Sequence, residues 1–123
     1  MKQLTKNFYL EEFACNDGTP VPDNYFGNVQ ELAMELQVLR DHIDTPIIIN
    51  SGYRSPTYNK AIGGASASMH LKAKAADIVT RKHTPKQLKS IIEKLIKQGK
   101  MKNGGIGLYP SFVHYDTGPV RRW

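Results

Sequence analysis

Cysteine is almost missing from this chain. Cys15 stands alone among 123 residues, so no intramolecular disulfide can form and the fold must rest on its core. With no cationic neighbour in sequence, Cys15 reads as a small buried hydrophobe rather than a reactive thiol. Long apolar runs are missing as well. Stretches such as Ile47-Ile48-Ile49 fall far short of the roughly 20 residues a membrane span requires. Met1 to Leu10 runs into Glu11 and Glu12 before any apolar stretch of signal-peptide length, so the expectation is synthesis in the cytoplasm without a secretion signal. Acidic residues are the scarcer charge, 11 against 17 basic, leaving a formal charge of +6. That balance suits a polyanionic partner, whether nucleic acid, a membrane surface or anionic cell-wall polymers, and does not choose among them.

What is present reads as an ordinary globular chain. Hydrophobic residues make up 40%, enough for a core, and the length predicts one domain over 1–123. The sequence does not fix the oligomeric state, with a monomer favoured. Asn7 to Cys15 suggests a short helical turn with Phe8, Leu10 and Phe13 inward, followed by turn chemistry at Asp17-Gly18-Thr19-Pro20. Val29, Leu32, Ala33, Leu36, Leu39 and Ile43 recur at three- and four-residue steps and predict an amphipathic helix from Asn24 or Asn28 to about Ile43. His42, in its last turn, suits the negative helix end. After Pro46, the β-branched Ile47-Ile48-Ile49-Asn50 reads as a strand, and Ser51 to Ala67 as a long irregular loop of the kind that usually carries function.

Ala75 to Thr80 returns to strand. Thr84-Pro85-Lys86-Gln87 is a helix start with a capping box, and Leu88, Ile91, Ile92, Leu95 and Ile96 form the apolar stripe that Gly99 ends. The lysines opposite that stripe read as a solvated face; no nucleic-acid motif accompanies them. Ile106 to Tyr109 and Phe112 to Asp116 are two short strands around Pro110. The order predicts an α+β domain, a central antiparallel sheet with helices packed on one face.

Three ionisable residues stand out by placement. Asp77 precedes Ile78-Val79 in a core strand, His114 lies between Val113 and Tyr115, and His70 follows Ser68-Met69. Two imidazoles and a carboxylate are the ligand set of an open catalytic zinc site. Spacing alone leaves the bland readings standing: a hydrogen-bonded histidine, or Asp77 as a turn cap. Asp116 projects to the same face as His114, roughly 6.5–7 Å along the strand. It is the expected general base toward the attacking water, or else a carboxylate that orients a ligand histidine. Arg54, on the turn after the first strand, suits clamping a substrate carboxylate or polarising a carbonyl, or a salt bridge within the loop. Ser68 suits a substrate hydrogen bond or a cap.

Taken together, Ser51-Gly52-Tyr53-Arg54-Ser55-Pro56, Asn59, Gly63-Gly64-Ala65-Ser66, Ser68-Met69-His70 and Ala75-x-Asp77 resemble the zinc D-alanyl-D-alanine peptidases. That superfamily includes D-Ala-D-Ala dipeptidases and carboxypeptidases, phage endolysin peptidases and the Hedgehog signalling domain. Gly104-Gly105-Ile106-Gly107-x-Tyr109-Pro110-x-Phe112-Val113-His114-x-Asp116 and Arg121-Arg122-Trp123 are similar to its peptidoglycan-cleaving branch. The resemblance implies zinc held by His70, Asp77 and His114, substrate contacts from Arg54 and Ser68, and hydrolysis of amide bonds in peptidoglycan stem peptides, often beside a D-residue. With no secretion signal and a substrate outside the membrane, the expectation is a phage- or prophage-encoded protein, an endolysin or a virion-associated lysin. Two positions depart from the family pattern. Ala73 stands where glycine is usual, and Ser111 stands where many relatives carry the acidic base, which passes that role to Asp116. These departures keep a second reading open, a non-catalytic wall- or protein-binding module of the same fold.

Overall fold

The computed structural model describes all of residues 1–123. Helix α1 spans Phe26–Ile43, and a 3-10 turn at Asp23–Tyr25 leads into it. Its residues Val29, Leu32, Ala33, Leu36 and Leu39 are buried, as the three- and four-residue spacing requires. Asp44, in the left-handed conformation at φ 48, ends the helix, and His42 is exposed in the last turn. Helix α3, Pro85–Lys97, begins on the predicted capping box. Thr84 Oγ1 accepts from the Gln87 amide at 3.1 Å, and Gln87 Oε1 accepts from the Thr84 amide at 2.9 Å. The stretch Ser51 to Ala67 is less irregular than its sequence suggests. It contains helix α2, Pro56–Ala61, with Ser55 capping the Tyr58 amide and proline at the first position, a pattern too short to show apolar periodicity.

Five strands form one sheet: β1 Ile48–Ser51, β2 Ala75–Val79, β3 Gly105–Leu108, β4 Val113–Asp116 and β5 Arg121–Arg122, in the order β1-β2-β4-β3-β5. The three pairings among β1 to β4 are antiparallel, as expected for this α+β fold; β5 adds a parallel edge against β3. Two residues of strand carry too little pattern to announce themselves.

Because side chains alternate along a strand, the sheet has two chemically distinct faces. Ala76 and Ile78 of β2, Ile106 of β3, and Val113 and Tyr115 of β4 share one apolar cluster with the buried stripes of α1 and α3. The residues between them face the other way. Register sets Asp77 opposite His114 and His114 opposite Gly107, with Ala75, Asp116 and Gly105 in the next row. Helices α1 and α3 thus hold one face, and polar chemistry occupies the other, where Asn59 of α2 reaches Arg54.

Ala73 sits at φ 56, ψ 33, closing the 3-10 turn Met69–Lys72 in the left-handed region where glycine is usual. An alanine there carries about 1–2 kcal/mol of strain. Glycine would relieve it but would lose about 0.4–1 kcal/mol to a freer unfolded chain. It would also give up roughly 0.8 kcal/mol for the buried methyl; Ala73 is 1% exposed. Ala73→Gly should therefore change stability by less than about 1 kcal/mol, moving the thermal midpoint by at most roughly 4 °C. Thermal denaturation of the two chains checks this.

Candidate metal centre

His70 belongs to the Met69–Lys72 turn, capped by Ser68, whose Oγ accepts from the His70 amide at 3.2 Å. Asp77 lies in the middle of β2 and His114 in β4, directly across the ladder. All three are buried, and each offers a ligand atom within 4.8 Å of the others. His70 Nε2 and His114 Nδ1 both stand 3.2 Å from the same oxygen, Asp77 Oδ1.

The remaining ring nitrogens decide what those contacts mean. His70 Nδ1 lies 2.7 Å from the Gly52 carbonyl, which can only accept, so Nδ1 carries a hydrogen. His114 Nε2 lies 2.7 Å from Asp116 Oδ2 and donates to it. In their neutral forms, both histidines then aim a bare lone pair at a carboxylate oxygen. Without a cation among them, both rings would have to be imidazolium, packed edge-on at 5.1 Å between centroids. A divalent ion resolves the conflict. Tetrahedral metal–ligand bonds of about 2.0–2.1 Å give ligand–ligand edges of roughly 3.3 Å, close to the 3.2 Å observed twice. The donor set fits a metal, and it leaves the cleft side open.

The electrostatics agree. Burial pushes the Asp77 carboxyl up; with no ion between them, hydrogen bonds and charge from protonated His114 and His70 outweigh it and hold the group well below the usual carboxylate range. Burial pulls His114 down, yet the hydrogen bonds and charges of Asp116 and Asp77 raise it overall. The site is built to gather positive charge.

Asp116 does not occupy the position of a base facing the cleft. It is fully buried beneath His114. Oδ1 accepts from the Gly105 and Gly118 amides at 3.1 and 2.9 Å, and Arg121 Nη2 reaches both oxygens at 2.7 Å. With the His114 bond added, its acceptor capacity is filled. Burial raises its pKa, but His114, Gly118 and Arg121 together lower it below the ordinary value. Of the two roles open in the sequence, this placement matches a carboxylate that orients a histidine. Ser111 is exposed on the turn between β3 and β4 and does not border the cleft.

Arg54 bridges the loop to the site. Its Nη2 donates to Asp77 Oδ2 at 3.2 Å and its Nε to Ser51 Oγ at 3.2 Å, while the Arg54 amide donates to the His70 carbonyl at 3.0 Å. Arg54 and Ser68 both border a cleft of about 580 Å³ with the three metal-site residues. Gly52, Arg121 and Trp123 carry parts that sequence reasoning leaves without a role. One signal for the last two exists: Gly105-Ile106-Gly107 alternates glycines within a strand, which marks close approach on one face. A Cβ on Gly107 would lie 2.5 Å from the Trp123 indole, and one on Gly105 would collide with the Asp116 carboxylate.

Residues 5–116 match the family described as Peptidase M15. The chain is 39% identical over 130 aligned positions to the peptidoglycan L,D-endopeptidase MepK of Escherichia coli strain K12, covering 99% of this chain and 65% of that protein. It is 40% identical over 79 residues to the "Probable peptidoglycan L,D-endopeptidase MepK" of Haemophilus influenzae, covering 58% of this chain and 39% of that one. Against the zinc D-Ala-D-Ala carboxypeptidase of Streptomyces albus G it is 47% identical over 45 residues, 36% of this chain and 18% of that protein. The chain thus spans 39–65% of the length of the two L,D-endopeptidases. With nearly its whole length inside the match, and two histidines and an aspartate gathered on one face of the sheet, this chain belongs to the Peptidase M15 family.

Proposed function

We propose that this protein is a zinc-dependent peptidase that hydrolyses amide bonds in peptidoglycan stem peptides, next to a D-residue. The observation that carries the reading is the pair of committed imidazole tautomers, which turn two lone pairs toward the Asp77 carboxylate at the base of an open cleft. Family membership and the names of the relatives support the substrate class.

Zinc held by His70, Asp77 and His114 would supply Lewis-acid polarisation of the scissile carbonyl and an acidified water with a pKa near about 7. The chain's own groups do the rest. Gly52 and Asp116 keep His70 and His114 in their ligand tautomers. Arg54 holds Asp77 Oδ2 and presents its guanidinium at the cleft wall, where a substrate carboxylate or carbonyl can be held. Ser68 keeps its hydroxyl hydrogen free while its oxygen caps the His70 turn, and it can donate to substrate. Asp116 serves as the positioning carboxylate for His114, not as the proton acceptor.

The setting we propose is phage- or bacterially encoded lysis or remodelling of the wall. Cys15, buried and unpaired, leaves the fold independent of an oxidising compartment, and the charge of +6 suits anionic wall polymers. No helix is long and apolar enough to cross a membrane. One observation favours a second reading, a non-catalytic wall-binding module: Asp77 is the only carboxylate bordering the cleft.

Digestion of purified sacculi followed by mass spectrometry separates the two. New amine termini should appear with the wild-type chain and vanish with His70→Ala; intact stems retained without cleavage would establish the module instead. Chelation should lower the thermal midpoint and zinc should restore it, by about 2.7 kcal/mol at a hundredfold excess over Kd. That recovery should be lost in Asp77→Asn, as calorimetry would show. In Asp116→Asn, zinc retention and turnover should fall together, by about 10–100-fold. Full zinc content with turnover alone abolished would return the base role to Asp116.

A further inference from the structure

The sheet order places Arg54, which follows β1, and Trp123, which follows β5, on opposite flanks of the metal site carried by β2 and β4. The two flanks differ in chemistry. On the Arg54 side the cleft is cationic and polar. On the other side it is mainly aromatic, with the Arg121 guanidinium 5.3 Å from the Trp123 ring and paired to the buried Asp116.

Trp123 is held there by backbone and side chain alike. Its amide donates to the Ile106 carbonyl at 3.1 Å, and its carbonyl accepts from the Leu108 amide at 2.8 Å. The parallel register pairs Gly105 with Arg121 and Ile106 with Arg122. Alternation then sends Arg121 and Trp123 to the metal-site face, while Arg122 reaches Glu93 of α3 on the other. The indole lies over the vacant Cβ position of Gly107, with its ring 4.9 Å from that of His114. Its Nε1 donates to the Tyr109 hydroxyl at 2.8 Å, and Tyr109 stacks on Phe112 at 4.4 Å. Despite these contacts, Trp123 stays 47% exposed and Tyr109 36% exposed, and both border the cleft with Phe112. A large aromatic surface fixed at a cleft wall and left uncovered suits an apolar ligand group.

We propose that Trp123, Tyr109 and Phe112 form a substrate shelf that takes the aliphatic side chain of the residue across the scissile amide from the group held by Arg54, so that the stem peptide lies across the strands from β1 toward β5. The proposal rests on the peptidase reading above and adds the direction of the bound chain and a specificity-determining residue, Trp123.

Trp123 is the only tryptophan, so its fluorescence reports the shelf directly. Muropeptides released from Escherichia coli sacculi by a muramidase and digested to completion by the protein serve as the non-cleavable probe. They should change the Trp123 emission saturably. With undigested muropeptides, Trp123→Ala should raise KM by about tenfold, the ratio expected for losing burial of two methylenes, with kcat altered less than about threefold. Trp123→Phe should keep most of the affinity, while Gly107→Ala, which dislodges the indole without removing it, should reproduce the KM rise. Zinc content and thermal midpoint should stay at wild-type values in Trp123→Ala. An unchanged KM, or a loss confined to kcat and zinc content, would overturn the shelf. Should the wild-type chain cleave nothing, the peptidase reading fails alone; undigested muropeptides then decide the shelf, a saturable emission change supporting it and a flat titration refuting it.

Discussion

Each of the two site histidines spends one ring nitrogen on an oxygen of the fold, and the candidate metal centre depends on that commitment. Gly52 offers a carbonyl to His70, and Asp116 offers a carboxylate to His114. A neutral imidazole has one hydrogen and one lone pair, so fixing the first aims the second. Both aim at Asp77 Oδ1, where three acceptors would repel one another without a cation. The supports reach well beyond the site. Gly52 follows β1 and lies where Tyr53 bonds the Phe13 carbonyl, and Asp116 is held by Arg121 and two backbone amides.

The sheet makes this arrangement compatible with a stable core. One parity of residues joins the apolar cluster with α1 and α3; the other carries Asp77, His114 and Asp116. Charged groups are costly to bury unless paired, and every one here has its partners. Every buried side-chain nitrogen or oxygen lies within hydrogen-bonding distance of a polar atom, the two lone-pair contacts at Asp77 Oδ1 included. Gly105 and Gly107 contribute by omission: the missing side chains leave room for Asp116, Arg121 and the Trp123 indole on the functional face.

Helices α1 and α3 and most strands were legible because their signals are local. Thr84 with Gln87 announces a start, the stripe from Val29 to Leu39 announces a buried face, and β-branched runs announce strands. The three candidate ligands stood out as well: Asp77 and His114 as ionisable groups in core strands, and His70 through the family resemblance. Asp116 was only half legible. Its spacing from His114 allowed a base or an orienting carboxylate, and the two differ in whether the carboxylate faces the cleft or lies behind the imidazole. Helix α2 and strand β5 were too short to show a period.

The sequence by itself determined the two long helices, most of the strands and the α+β class, since periodicity and capping act over a few neighbouring residues; it marked His70, Asp77 and His114 as candidate donors only together with the family resemblance. Only the tertiary structure decided which nitrogen of each histidine is free, why Asp116 lies behind His114, and where Trp123 stands. Those outcomes depend on partners far apart in the chain: Gly52 with His70, Gly105 with Asp116, and Trp123 beside Gly107. Contacts of that kind exist only once β1, β3 and β5 have been placed around the β2–β4 pair, because no local rule sets the distance between residues on different strands.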